Sequence, residues 1–137
     1  FLFCGAAHQN YEPMWLPAML SFGLTFLREL VKDVADLKGD LSTGLATFPI
    51  LIGIHKSRQL IIFLCFLVSL LALWPLYTST YGIWYGIIVF IGVEVPIVMV
   101  VILFLKNPGI SSGKKSSKIL KFSSLMGLIA IYAGSQL

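Results

Sequence analysis

Residues 28–53 read RELVKDVADLKGDLSTGLATFPILIG. Four of the six carboxylates of the 137-residue chain lie in this stretch, as Glu29, Asp33, Asp36 and Asp40, with Glu12 and Glu94 elsewhere. On a helix at 100° per residue, with Asp33 at zero, Glu29 falls at about −40°, Asp36 at about −60° and Asp40 at about −20°. All four therefore share one narrow face. Like charges three or four residues apart destabilise a helix, and a low-dielectric boundary raises that cost. Gly39 costs roughly 1 kcal/mol in a helix interior, so two readings stay open for Asp40: it lies on this helix, or the helix ends before it and it approaches from a loop. The run Gly44 to Thr47, followed by Pro49, reads as a turn that leads the chain back.

The rest of the chain makes this concentration costly. Hydrophobic residues are 58% and charged residues 12% of the sequence, against roughly 25% charged in an ordinary soluble domain. The composition predicts an integral membrane protein of the all-α class: about four spanning helices plus a truncated helix end, in one transmembrane domain over residues 1–137. The chain starts at Phe1 within an apolar run that has no basic leader or cleavage signal before it, and reads as a fragment. Residues 1–7 are too short to span a bilayer, and residues 8–13 form a polar break. A first span is expected over residues 13–32, about 20 residues being enough at 1.5 Å each, with helical character continuing through Asp36. Further spans are expected over 59–77, closed by the interfacial aromatics Trp74 and Tyr77, over 83–105, and over 119–137. Residues 28–58 form an acidic cap loop between spans, and the Gly- and Ser-rich residues 106–118 read as a flexible basic loop.

The net charge of +4 comes from ten Lys and Arg against six Asp and Glu. In a soluble protein it would suggest nucleic acid, a partner that a membrane bundle does not call for. Its placement carries more information than its sum. Every Lys and Arg lies in or beside residues 28–58 or 106–121, and the connections 8–13 and 78–82 have none. By the positive-inside rule both basic segments, and the acidic one with them, face the cytoplasm; the cell membrane is the expected location. Cys4 and Cys65 have no partner at ligand spacing and read as small buried apolar residues. His8 and His55 read as loop residues, with His55, Lys56 and Arg58 anchoring a helix at the interface.

Two readings of the acidic face stay open on spacing alone. It is a solvated helix end neutralised by Arg28 and Lys32, or it is a site for a hard divalent cation. Mg²⁺ suits the second, since it takes oxygen ligands and is usually held by one or two carboxylates together with substrate phosphates. Glu94, in the middle of an apolar run, costs at least about 2.5 kcal/mol if charged. It reads either as a neutral group bonded to a hydroxyl of a neighbouring helix, the preferred reading, or as an acceptor-site carboxylate.

The pattern Arg28-Glu29-x-x-Lys32-Asp33-x-x-Asp36-x-x-Gly39-Asp40-x-x-x-Gly44-x-x-Thr47-x-Pro49 resembles the second aspartate-rich motif of the UbiA superfamily of intramembrane prenyltransferases, which have nine helices. Its opening looks most like the branch that makes archaeal-type ether lipids, the geranylgeranylglyceryl phosphate geranylgeranyltransferases. The resemblance implies Mg²⁺-dependent transfer of a prenyl group from a prenyl diphosphate to a lipidic acceptor, preferably geranylgeranylglyceryl phosphate, with quinone or porphyrin-type acceptors as the alternative. It implies Asp36 and Asp40 as metal ligands and catalytic residues, Asp33 as an additional one, and Arg28 and Lys32 as diphosphate contacts; Glu29 and Glu94 stand behind them. A non-catalytic membrane subunit or transporter with a divalent-cation-binding cap is the alternative of another class. The family's first motif, Asn-Asp-x-x-Asp, is absent: Asn10 and Asn107 begin Asn-Tyr-Glu-Pro and Asn-Pro-Gly-Ile. The chain thus resembles the C-terminal half of such an enzyme, is expected to need the N-terminal half as partner, and is predicted to be inactive alone.

Overall fold

The computed structural model describes residues 14–78 and 81–135; Glu12, His8 and Cys4 lie outside them. The described residues form α1 (Trp15–Thr43), a short α2 (Phe48–Ile52), α3 (Ile54–Tyr77), α4 (Ile83–Val89) running through a π-helical turn (Phe90–Glu94) into α5 (Val95–Lys106), and α6 (Ile110–Ser135). No strand occurs among them. The all-α bundle is therefore as expected, built from four long helical runs. Two of these, Ile54–Tyr77 and Ile83–Lys106, are long and apolar enough to cross a membrane by length and composition. The other two, α1 and α6, are as long but carry most of the charged residues.

α1 packs most extensively on α6 and next on α3, while α6 also contacts α4 and α5. Leu27, Val31 and Val34 of α1, Ile61, Cys65 and Val68 of α3, Val100 and Phe104 of α5, and Leu120 and Ala130 of α6 are wholly buried in one core. Cys65 is a buried free thiol, as its apolar neighbours suggested. The outward faces are also apolar: Phe63, Phe66, Leu70 and Trp74 of α3 and Val98, Met99 and Ile102 of α5 are exposed. So much contiguous apolar surface belongs against lipid or other helices rather than water.

The helix boundaries correct the sequence reading in three places. α1 runs beyond the expected Asp36, through Gly39 and Asp40 to Thr43, which settles Asp40 on the helix; it ends at Gly44, whose φ of 71° is left-handed and whose N–H bonds the Asp40 carbonyl. Gly39 faces open space, and the Ser42 and Thr43 hydroxyls donate hydrogen bonds to its carbonyl near the helix end. Residues 28–58 are consequently helical apart from residues 44–47 and Gly53 rather than a cap loop. α3 begins five residues before the expected 59, bringing His55, Lys56 and Arg58 onto its first turns.

The third correction is the largest. Residues 106–118 are not a flexible loop: only 107–109 separate α5 from α6. The Ser and Gly residues that read as linker chemistry serve packing and capping. Ser112 donates to the Leu103 and Asn107 carbonyls at 3.2 and 2.5 Å, satisfying the open end of α5. Gly113 lies so close to α1 that a Cβ there would stand 2.7 Å from the Ala35 nitrogen. The α1 acidic half and the start of α6 therefore lie at the same end of the bundle. The π-helical turn directly precedes Pro96, whose ring excludes regular α geometry at its preceding turn; the Val95 N–H bonds the Phe90 carbonyl there.

Candidate functional site

α1 has two unlike faces. Leu27, Leu30, Val31 and Val34, between about 60° and 160° on the helical wheel that places Asp33 at zero, enter the core. The carboxylates lie nearly opposite. Asp36 and Glu29 are exposed, Asp33 and Asp40 half-buried. Further back along the same outward stripe, at about 0°, 40°, −20° and 20°, stand Trp15, Met19, Phe22 and Phe26, all exposed. The Phe22 and Phe26 rings stack at 5.9 Å, 5° from parallel. One helix face thus carries an acidic segment continuing into an aromatic one.

Local neutralisation of the acid is slight. Among the described residues the one salt bridge joins Lys32 to Glu29 at 3.9 Å, with both side chains about half exposed, an arrangement worth little in water. Asp33, Asp36 and Asp40 have no ion-pair partner among the described residues. Partial burial raises the Asp33 pKa above its ordinary value, and the Asp40, Glu29 and Asp36 charges add to this against an opposing effect of Lys32. No three His, Cys, Asp or Glu of the described residues are gathered closely enough to hold a metal by themselves. One-turn pairs of hard oxygen donors, Asp33 with Asp36 and Asp36 with Asp40, still match an ion that completes its shell with water and phosphate oxygens.

The two cations read from the sequence as diphosphate contacts diverge. Lys32 stays beside the acidic face, whereas Arg28, at about −140° on the wheel, turns toward α6 and lines an opening with Lys118 and Lys121. Its Nε is buried without a hydrogen-bond partner. The sequence reads Lys118 as a topology signal first and an acceptor-phosphate contact second, without naming what it would meet; the nearness of Lys118 and Lys121 to Arg28 arises only when α6 starts at Ile110 and lies along α1. Glu94 stands apart from the α1 carboxylates. It accepts a hydrogen bond from Ser69 of α3 at 2.5 Å and borders an apolar groove with Leu73, Phe90 and Val98. The Ser69 hydroxyl is a partner of the kind expected from the sequence, while Glu94 Oε1 is buried without a hydrogen-bond partner.

A bundle with apolar outer faces, one of whose helices presents carboxylates at an end and aromatics along its length, defines an integral membrane protein. Comparison with known proteins places it further. Residues 1–125 match the UbiA prenyltransferase family, and the chain belongs to that family. It is 33% identical over 135 residues to the digeranylgeranylglyceryl phosphate synthase of Methanocaldococcus jannaschii, covering 98% of this chain and 47% of that protein. Against the protein of the same name from Pyrococcus furiosus it is 30% identical over 118 residues, covering 86% of this chain and 41% of the relative. A solved structure described as concerning the biosynthesis of digeranylgeranylglyceryl phosphate synthase in membranes superposes with a TM-score of 0.89 at 33% identity, over 100% of this chain and 49% of that one. The chain spans about half the length of the curated relatives it matches.

Proposed function

We propose that this chain supplies part of the active site of a Mg²⁺-dependent prenyltransferase of ether-lipid synthesis. The reaction moves a geranylgeranyl group from its diphosphate to the free hydroxyl of geranylgeranylglyceryl phosphate. The allylic C–O bond breaks with its electron pair leaving on diphosphate, an ether C–O bond forms, and the hydroxyl proton is released. The observation that carries the proposal is the outward face of α1, where Asp33, Asp36 and Asp40 continue into Phe22 and Phe26.

When bound, Mg²⁺ would neutralise the charge that develops on the departing diphosphate. Asp36 and Asp40 would hold it, with Asp33 as a further ligand, and Lys32 would meet an outer diphosphate oxygen. Phe26 and Phe22, about 15 and 21 Å along the helix from Asp36 at 1.5 Å per residue, would lie against the middle of the prenyl chain and shield it from water. Burial and the charges of Asp40, Glu29 and Asp36 raise the Asp33 pKa without the metal, so a divalent cation relieves a repulsion built into the helix. The orientation that fits the basic residues puts this face at the cytoplasmic side of the cell membrane.

The names of the relatives favour a glycerol phosphate ether over a quinone or porphyrin acceptor. The test is binding of a non-hydrolysable geranylgeranyl diphosphate analogue to the purified chain in detergent, with and without Mg²⁺. Mg²⁺-dependent binding that is lost in Asp36→Asn and Asp40→Asn is expected. Binding of Mg²⁺ without the analogue would instead mark a cation-binding subunit or transporter, and metal-independent binding untouched by both changes would refute the site.

A further inference from the structure

The opening formed by Arg28, Lys118 and Lys121 is separate from the carboxylate face, about 100° away from it around α1. It measures about 540 Å³ and is otherwise lined by Phe122, Ser124, Leu125 and Leu128. Ser124 and Leu128 also line a second, more enclosed cavity of about 170 Å³ inside the bundle, between Leu20, Leu24, Tyr85 and Val89. The two spaces therefore adjoin, one basic and open, the other apolar and enclosed. Ser21 and Thr25 of α1 supply hydroxyls to the inner one.

The basic end is uncompensated. Residues 110–135 contain no Asp or Glu, and none of the three cations has an ion-pair partner among the described residues. The buried Arg28 Nε, lacking any hydrogen-bond partner there, is the kind of donor whose desolvation is expensive unless a ligand meets it. Three convergent cations above an apolar cavity select an amphiphile whose head is a multiply charged anion. Arginine and lysine favour phosphate oxygens.

From this juxtaposition we propose that Arg28, Lys118 and Lys121 form a binding site for the phosphate monoester head of an alkylated glycerol phosphate, with the start of its chain in the adjoining cavity. The proposal rests on the prenyltransferase reading and deepens it. It assigns the acceptor to the α1–α6 side and the prenyl diphosphate to the carboxylate face, so the two anions approach α1 from different sides and do not compete for one set of cations. Arg28 is thereby moved from diphosphate contact to acceptor contact.

The experiment uses the chain purified in a neutral detergent and titrated with a short-chain 1-O-alkylglycerol 3-phosphate without Mg²⁺, binding being followed by ³¹P NMR. Probes of the same chain length are the uncharged 1-O-alkylglycerol and a phosphatidylglycerol, whose phosphate is a diester with one charge. Saturable binding of the monoester is expected, weakened about tenfold or more in Lys118→Gln/Lys121→Gln and in Arg28→Gln, since a charge-assisted hydrogen bond is worth about that factor. Leu128→Trp, which fills the junction of the two spaces, is expected to weaken the alkylated probe more than glycerol 3-phosphate. Equal affinity for the uncharged alkylglycerol, or a monoester affinity insensitive to both basic variants, overturns the site. Equal affinity for the diester overturns the acceptor assignment and marks a membrane-lipid headgroup site. Mg²⁺-dependent binding of the prenyl diphosphate analogue is measured on the same samples. If it persists while the monoester fails to bind, the inference alone has failed; if both fail, the prenyltransferase reading falls too.

Discussion

Replacing Gly113 by alanine is predicted to destabilise the chain and to disturb the acidic face without touching it. A Cβ at position 113 would stand 2.7 Å from the Ala35 nitrogen, 2.9 Å from its Cα and 3.2 Å from its Cβ. Ordinary contact begins at 3.4 Å, so the helices must part by about 0.7 Å at this crossing, a distance set by close packing. Two of the three atoms are backbone, so no rotamer change relieves the clash. Overpacking of this kind costs about 1–3 kcal/mol, and the better helix propensity of alanine returns at most about 1 kcal/mol. With the full propensity gain returned, the net loss is up to about 2 kcal/mol. Gly39→Ala is the matched control: nothing lies within 4 Å of its added Cβ, so only the propensity gain of up to about 1 kcal/mol applies. Denaturation in detergent, followed by helical circular dichroism, should therefore move in opposite directions for the two variants. Because Ala35 adjoins Asp36, Gly113→Ala should also weaken Mg²⁺-dependent binding of the prenyl diphosphate analogue. A Gly113→Ala chain as stable as the parent, with full analogue binding, would refute the claimed contact between α6 and the acidic half of α1.

Other outcomes follow from single observations. Gly44→Ala places a side chain at a φ of 71° and should cost about 1–2 kcal/mol, read by the same denaturation. Asp33 holds its proton more tightly folded than unfolded, so its contribution to stability is best at low pH and is lost as pH rises through the folded pKa. Asp33→Asn should accordingly stabilise the metal-free chain at neutral pH by a few tenths of a kcal/mol, about the value of like-charge pairs on a helix, and this gain should vanish in acid. Glu94→Gln keeps an acceptor for the Ser69 hydroxyl and should insert normally and bind the analogue within about twofold of the parent; loss of binding with normal insertion would give Glu94 a functional role. The chain by itself, carrying one of the family's two aspartate motifs, should show no prenyl transfer, and measurable turnover by the purified chain would overturn that.

Residues 28–53 by themselves determined much. Their spacing put four carboxylates on one helical face in an apolar chain, and the pattern from Arg28 to Pro49 pointed to the family that residues 1–125 match. Such properties are local: a helix period and a composition bias are written directly in the order of residues. Helix ends and neighbours are not. Gly39 and Gly113 are both glycines in polar surroundings, yet one faces open space and the other the backbone of α1, a distinction that depends on where another helix lies. The same holds for Ser112, which reads as linker but caps α5, and for Glu94, whose Ser69 partner is 25 residues away. Arg28 shows the limit most clearly. The resemblance read it as a diphosphate contact beside the carboxylates, and only the packing of α6 along α1 sets it near Lys118 and Lys121. Local periodicity fixes the direction in which a side chain leaves its own helix, while the partner it meets there is decided by long-range packing.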